Sequence, residues 1–562
     1  MNDSAGPSGG RGPGAGGRRL KGLRAFYHLG EPVALTAPPA GTAELVATTA
    51  AGRTYRAVEG DGFHFPELPA GTLAVEARGP GGDLLADEFT TVAAHPGQRP
   101  VHGFATSFVP EAVPGVLGWL ESLRCTVVQI YDWMHQYCAP LGPREGWRDP
   151  SHREVSFEAL GQLARGLRAQ GAVAHAYAPV YAMDVPFAAE HPDMLMFQGD
   201  GQPERFFDLI QLADPANAAW RSHFARVYGD AADAIGFNGF HLDTYGYPRA
   251  PVDASGHPID MRAAYEGFLG YFRSARPRDQ VSFNQVNGVP SAISLPPGPG
   301  FRYCEVWPPN DQWRHLEGLM DRSAGQAGLR EDRAGAPSPL RGTIALYPPV
   351  WGTGDGEEHV EGPARAGSLR TVVLTEAVAT ALGGAALLYG DLDAVLCDPY
   401  YPKHERLDEA EVATALTWHR FALRVRDLFL AGEDTSWYDV ADDNGAVAVR
   451  WAGGCARPEP SGEAVFARVV RDRDRVAVSV IDLTGSARGA WSEPTAAGHC
   501  GPVTVRCLVE KPSAWRAAVA VLGRDHGRFQ EVPFGVVGHR EGSALEVEVP
   551  MGSGWSVLRV TR

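Results

Sequence analysis

Between residues 101 and 430, short apolar, β-branched runs alternate with longer segments of helical period, and this alternation constrains the chain more than any other feature. It is the pattern of parallel β/α units, in which each strand is buried on both faces and a helix carries the chain back to start the next. The spacing predicts strands at 101–108, 126–133, 172–181, 238–243, 281–287, 301–307, 343–349 and 384–391. Helices are predicted at 111–124, 154–170, 216–234, 260–275, 311–327, 368–381 and 408–429. Eight strands over this length fit a (β/α)8 TIM barrel with sizeable loops. An open doubly wound sheet is the alternative, but no GxGxxG follows the first strand to support it.

The flanks use a different pattern. From 23 to 98, short strand-like runs (EPVALTA, AELVATTA, TLAVEARG) are separated by Gly, Pro and Asp turns, predicting a small immunoglobulin-like antiparallel β-sandwich. The barrel is expected over 99–432, and 433–562 returns to strand-like runs (AVAVRWAG, RVAVSVIDL, ALEVEVP), predicting a second antiparallel β-sandwich. The expected fold class is therefore multidomain α/β plus all-β. Residues 1–22, Gly- and Arg-rich with no apolar run, are expected to be a disordered leader. A secretory signal needs an apolar core of about 7–15 residues. Without one the expected location is the cytoplasm, with secretion the alternative if the start site is misassigned.

Composition narrows the partners. A formal charge of −16 disfavours nucleic acid or an anionic membrane, both of which require a basic surface. No stretch approaches the 18 consecutive apolar residues of a membrane span. The seven cysteines are scattered, with no CxxC and no HExxH, so they are expected as buried thiols. No metal or other cofactor and no protein partner is expected.

In barrels of this kind catalytic groups sit at the C-terminal strand ends. Those ends carry Asp132, Trp133, Tyr177, Tyr181, His241, Asp243, Asn284, Asn287, Glu305, Trp307, Tyr347 and Asp391. Acids and amides bond directionally to vicinal hydroxyls, and flat aromatics pack on the C–H faces of pyranose rings, so this is the composition of a sugar site. Glycoside hydrolysis needs two carboxyls flanking the bond, one of them protonated at the outset. Asp243 ends the fourth strand and Glu305 falls near the end of the sixth, so both can face one mouth; a solvated Asp and a capping Glu are the alternative. His241, two residues before Asp243, shares its strand face and either orients it or touches substrate. Asn284 and Asn287 differ by three residues, so only one can point inward while the strand stays regular. Cys304 is expected to point away from the mouth. The run GEEHVE (356–361) reads as a solvated loop, and RDRDR (471–475) as a charged hairpin turn.

The stretch GFNGFHLDTYG (236–246) resembles the nucleophile motif of glycoside hydrolase family 66, the dextranases and cycloisomaltooligosaccharide glucanotransferases. FNQVNG (283–288) with YCEVWP (303–308) is similar to that family's fifth strand and acid/base motif. VVQIYDWMHQYCAPLG (127–142), AHAYAPVYA (174–182), LADPANAAWRSHF (212–224) and LLYGDLDAVLCDPYYP (387–402) follow in family order. The resemblance implies cleavage of α-1,6-glucosidic bonds with retention, Asp243 as nucleophile and Glu305 as general acid/base, on dextran or isomalto-oligosaccharides. Asp132 is the first choice for gripping sugar hydroxyls, its alternative being a barrel-internal hydrogen bond. Trp307 and Tyr245 are candidate sugar platforms, although Trp133 and Trp307 equally suit packing at the mouth. Tyr177, Tyr181, Asn284 and Asn287 complete the expected contacts. Two departures stand out: Ala178 replaces the family's Asn, and the segment 350–367 is too short for the carbohydrate-binding insertion of the cyclising enzymes. The second favours hydrolysis over cyclisation.

Overall fold

The computed structural model describes residues 18–35, 37–60, 62–206, 209–246, 250–291, 293–324, 341–348, 362–397, 404–430, 436–438 and 445–562. At its centre eight parallel strands pair in chain order: β1 (His102–Ala105), β2 (Val127–Ile130), β3 (Val173–Pro179), β4 (Gly239–Asp243), β5 (Gln280–Asn284), β6 (Gly300–Glu305), β7 (Thr343–Ala345) and β8 (Ala385–Leu387). Around them run α1 (Val113–Ser122), α2 (Phe157–Ala169), α3 (Ala218–Ile235), α4 (Met261–Ala275), α5 (Arg314–Ala324), α6 (Gly362–Ala381) and α7 (Glu409–Val425). This is the barrel that the alternating pattern predicts. Side-chain caps fix where several helices begin: Ser156 accepts from Ala159 N–H, Asp260 from Ala263 N–H, and Asp408 forms a capping box with Glu411. Asn217 caps α3, and Gly236, left-handed at φ 97°, ends that helix and turns the chain into β4, the strand that carries Asp243.

The first and last strands are fastened at the mouth. Asp391, just past β8, accepts at Oδ2 from the Thr106 N–H (2.9 Å) and hydroxyl (3.1 Å) and from the Ser107 N–H (2.8 Å). Its strand-end position thus serves closure of the barrel.

Several strands stop earlier than the pattern predicts. The second ends at Ile130, not 133, and Asp132 turns the chain with φ 48°. The fifth ends at Asn284, not 287, with Asn287 at φ 53° in a following turn. The seventh and eighth end at Ala345 and Leu387. GEEHVE (356–361) lies outside the described residues.

The N-terminal unit is two-layered, a six-stranded sheet against a three-stranded one, with Leu45, Leu73, Val75, Val33 and Phe65 buried between. It departs from the expected all-antiparallel order, because Arg18–Arg19 and Phe26–His28 pair parallel with Leu84–Ala93. Residues 18–22 therefore belong to this unit rather than to a disordered leader; residues 1–17 lie outside the described set. The C-terminal unit packs a six-stranded against a five-stranded antiparallel sheet around a Val-rich core. Its Asp472↔Arg475 pairing closes a tight charged hairpin.

A buried ion cluster joins the N-terminal unit to the barrel. Glu88, fully buried, meets Arg19 (2.6 Å), Arg420 of α7 (2.6 Å) and Arg124 (4.0 Å), while Asp87 meets Arg420 (3.0 Å) and Arg424 (3.3 Å). Burial raises the Glu88 carboxyl, but Arg124, Arg420 and Arg19 together hold it below the ordinary carboxylate range.

Candidate active site

The mouth of the barrel opens into a cavity of about 190 Å³. Gln129, Tyr131, Tyr177, Tyr181, Phe206, His241, Asp243, Thr244, Tyr245, Asn284, Val286, Tyr303, Glu305, Trp307 and Tyr347 line it. Six of these are tyrosines and none is Lys or Arg, so among the described residues the lining offers hydroxyl donors and ring faces but no cation to clamp a phosphate. Burial keeps the Tyr131, Tyr177, Tyr181, Tyr303 and Tyr347 phenols protonated, each raised well above its usual value. Among the described residues no three His, Cys, Asp or Glu side chains cluster to hold a metal.

Asp243 and Glu305, from strand ends separated by β5, meet in this cavity, and Asn284 at the end of that intervening strand joins them. Its amide nitrogen donates to Asp243 Oδ1 at 2.6 Å and to Glu305 Oε2 at 3.2 Å. The two acceptor oxygens therefore lie no farther apart than about 5.8 Å, the two bonds laid end to end. The Glu305 N–H donates to Asn284 Oδ1 at 3.0 Å, which fixes the amide orientation with its NH2 toward the carboxyls. Asp243 Oδ2 also accepts from the Tyr177 hydroxyl at 2.6 Å. Burial first, then the charge of Glu305, raise Asp243 above the ordinary carboxylate range, and burial raises Glu305 as well. The pair consequently holds one proton between them around neutrality.

The model of glycosyl hydrolase family 66 matches residues 82–558, most of the chain and both carboxyls. The chain belongs to glycosyl hydrolase family 66. Two cycloisomaltooligosaccharide glucanotransferases of Niallia circulans are 22% identical over 258 residues and 23% identical over 294. Those matches cover 41% and 47% of this chain but only 27% and 29% of the relatives' own lengths. A solved cycloisomaltooligosaccharide glucanotransferase of Paenibacillus sp., complexed with cycloisomaltoheptaose, aligns over 97% of this chain and 100% of its own with a TM-score of 0.76 at 15% identity. At that identity the likeness speaks to the fold.

The other candidate substrate contacts divide into two groups. Tyr177, Tyr181, His241, Tyr245, Asn284 and Trp307 line the cavity with the two acids. Asp132, Trp133 and Asn287 do not, and the early strand ends explain why. With β2 finished at Ile130, Trp133 swings into the barrel wall, fully buried against Phe237, its Nε1 donating to the Tyr177 carbonyl at 3.0 Å. Asp132 is buried 4.0 Å from Arg153, where burial raises it to about 7 against the pull of that arginine. Asn287 braces the mouth instead, its Oδ1 accepting from the Trp307 N–H at 2.8 Å. His241 makes no bond to Asp243; its Nδ1 lies 3.0 Å from the Ser282 hydroxyl. Cys304 is buried on the far side of its strand from Glu305, as alternation predicts.

Gln129, Tyr131, Tyr303, Phe206, Val286 and Thr244 were not foreseen as lining. Tyr303 precedes Glu305 by two and shares its face, and Gln129 and Tyr131 differ by two in the same way, so strand period alone could have located three of them. Phe206 comes from a three-stranded excursion after β3 (Ala182–Asp184, Arg205–Phe206, Ile210–Leu212) that packs it on Tyr181 and Tyr245. Nothing in the sequence marks it.

Proposed function

We propose that the protein is a retaining glycosidase that cleaves α-1,6-glucosidic bonds of isomalto-oligosaccharides or dextran by double displacement. The observation that carries this reading is the Asn284 bridge, which keeps Asp243 Oδ1 and Glu305 Oε2 within about 5.8 Å of each other. Retaining enzymes place their carboxyls about 5–5.5 Å apart, whereas inverting ones need roughly 6.5–9.5 Å to admit a water between them. In this mechanism Asp243 attacks the anomeric carbon while Glu305 protonates the departing glycosidic oxygen. Water, activated by Glu305 now acting as base, then opens the glucosyl ester. Bond lengths support that division of roles. Hydrogen bonds to an ionised acceptor are the shorter ones, and both Asn284 and Tyr177 reach Asp243 at 2.6 Å, against 3.2 Å from Asn284 to Glu305. The pair's one proton then belongs on Glu305, where the first step uses it.

The names of the relatives favour a second reading, in which a sugar hydroxyl rather than water resolves the ester. Incubation of the purified chain with isomalto-oligosaccharides and with dextran, followed by chromatography of the products, separates the two. Shorter linear products mean hydrolysis; rings or longer chains mean transfer. Binding without any turnover would replace both readings with a non-catalytic glucan-binding barrel.

A further inference from the structure

Three histidines lie inside the barrel, and burial holds all of them neutral: His102 and His175 down to about 3, and His241 well below its usual value. A neutral imidazole carries one N–H and one lone pair, so the position of that hydrogen decides what the ring can do. Here a chain of contacts fixes it. His175 Nε2 lies 3.1 Å from Gln280 Oε1, an amide orientation that leaves the buried Gln280 Nε2 without a partner among the described residues; with the carbonyl oxygen as acceptor, His175 bears its hydrogen on Nε2 and a lone pair on Nδ1. That lone pair faces the Ser282 hydroxyl at 3.0 Å and takes the serine's single hydrogen. The same Ser282 oxygen lies 3.0 Å from His241 Nδ1. With its hydrogen already donated, Ser282 can only accept there, so His241 bears its hydrogen on Nδ1. Nε2 of His241 is left with a lone pair.

The sequence builds this relay deliberately into the strands. His241 is in register with Tyr177 on one side and Ser282 on the other. Gly239 lies two residues before it, where a Cβ would come within 2.4 Å of the His175 ring, so glycine is what lets His175 reach across β4 to Ser282. The His241 ring is held by stacking against Tyr177 (centroids 6.1 Å, 17°) and by the Tyr303 ring edge-on (4.5 Å, 83°). The Tyr177 hydroxyl is already given to Asp243. No described residue bonds Nε2, and His241 lines the cavity one strand repeat below Asp243.

We propose that His241 Nε2 is a fixed hydrogen-bond acceptor at the inner end of the cavity, and that it selects a sugar presenting a hydroxyl group there. Ser282 is the positioning residue that imposes this tautomer. The inference rests on the reading of a sugar in this cavity and adds the atom that tests one of its hydroxyls. A buried acceptor left without a donor is penalised, so a sugar lacking that hydroxyl should bind about 10- to 100-fold more weakly.

Two measurements on the full chain test this. In the first, histidine-15N NMR without substrate, with the His241 signals assigned by their loss in His241→Gln, should show Nδ1 bearing the hydrogen and Nε2 bare. A hydrogen on Nε2 overturns the proposal whatever the substrate proves to be. In the second, calorimetry on Glu305→Gln compares isomaltotriose with its monodeoxy and monofluoro analogues at each hydroxyl of the non-reducing glucose. One position should lose 10- to 100-fold with both replacements, since fluorine accepts but cannot donate. That loss should shrink to within about threefold in His241→Phe and in Ser282→Ala. Equal binding of the fluoro and hydroxyl forms at every position overturns the proposal, as does absence of any isomaltoside binding. Selective binding without turnover in the unsubstituted protein would instead overturn only the catalytic reading above.

Discussion

Removing the Asn284 side chain tests the architecture of the carboxyl pair. Asn284→Ala deletes the 2.6 Å donor to Asp243, the 3.2 Å donor to Glu305 and the acceptor of the Glu305 N–H. A hydrogen bond to a charged group is worth about 1.5–3 kcal/mol, and the shorter bond carries most of that here. Losing about 2 kcal/mol of anion stabilisation raises the affinity of the pair for protons by roughly 1.5 pH units. Both limbs of the kcat/KM profile should therefore move upward. The loosened carboxyls should cost a further 10- to 100-fold in kcat/KM at the optimum, because small displacements of reacting groups are expensive. Asn284→Asp, nearly identical in shape, sets a third carboxyl against the other two and should be worse than Ala. The assay is steady-state kinetics on an isomalto-oligosaccharide between pH 4 and 10 for the three proteins. Unmoved limbs, or an Asp variant more active than Ala, would refute the reasoning, since a purely space-filling role favours Asp.

Further outcomes are expected. Asp243→Ala and Glu305→Gln should each lower kcat by several orders of magnitude with the fold intact by circular dichroism, since each removes a group that acts in the transition state. Tyr177→Phe removes the second short donor to Asp243 and should lower kcat/KM about 10- to 100-fold while shifting the acid limb, where Asp243 must ionise, upward, read by the same kinetics. Glu88→Ala strands Arg19, Arg124 and Arg420 at the junction of the N-terminal unit and the barrel, and should destabilise by about 3–5 kcal/mol in denaturant unfolding. Because the folded Glu88 carboxyl lies below its unfolded value, its contribution is complete above the ordinary carboxylate range and disappears as pH falls through the folded value. The unfolding difference between Glu88→Ala and the unsubstituted protein should therefore shrink in acid.

The barrel was legible because each strand is buried on both faces and each helix has a stripe of its own, so the two periods alternate without ambiguity. Asp243 and Glu305 were legible as acids at strand ends, and Tyr177, Tyr181 and His241 as residues of inward-facing strand segments. Asp132, Trp133 and Asn287 fall outside the cavity lining because β2 and β5 end before them. There a positive φ at Asp132 and Asn287 breaks the period, and single-residue backbone turns of that kind leave little trace in residue type. The same alternation, applied backward from Glu305, finds Tyr303. Phe206 was hidden because a long excursion brings it in, and tertiary packing alone sets where such a segment lands. The parallel pairing of Arg18–Arg19 was hidden by its brevity and by its Gly-rich surroundings.

Trapping the covalent intermediate tests the central claim most directly. Glu305→Gln, given an activated glucosyl fluoride whose leaving group needs no proton, should accumulate a glucosyl ester; mass spectrometry of the digested protein should place one anhydroglucose unit on the peptide containing Asp243. Turnover of that fluoride with no adduct, and release of glucose with inverted anomeric configuration, would contradict the account.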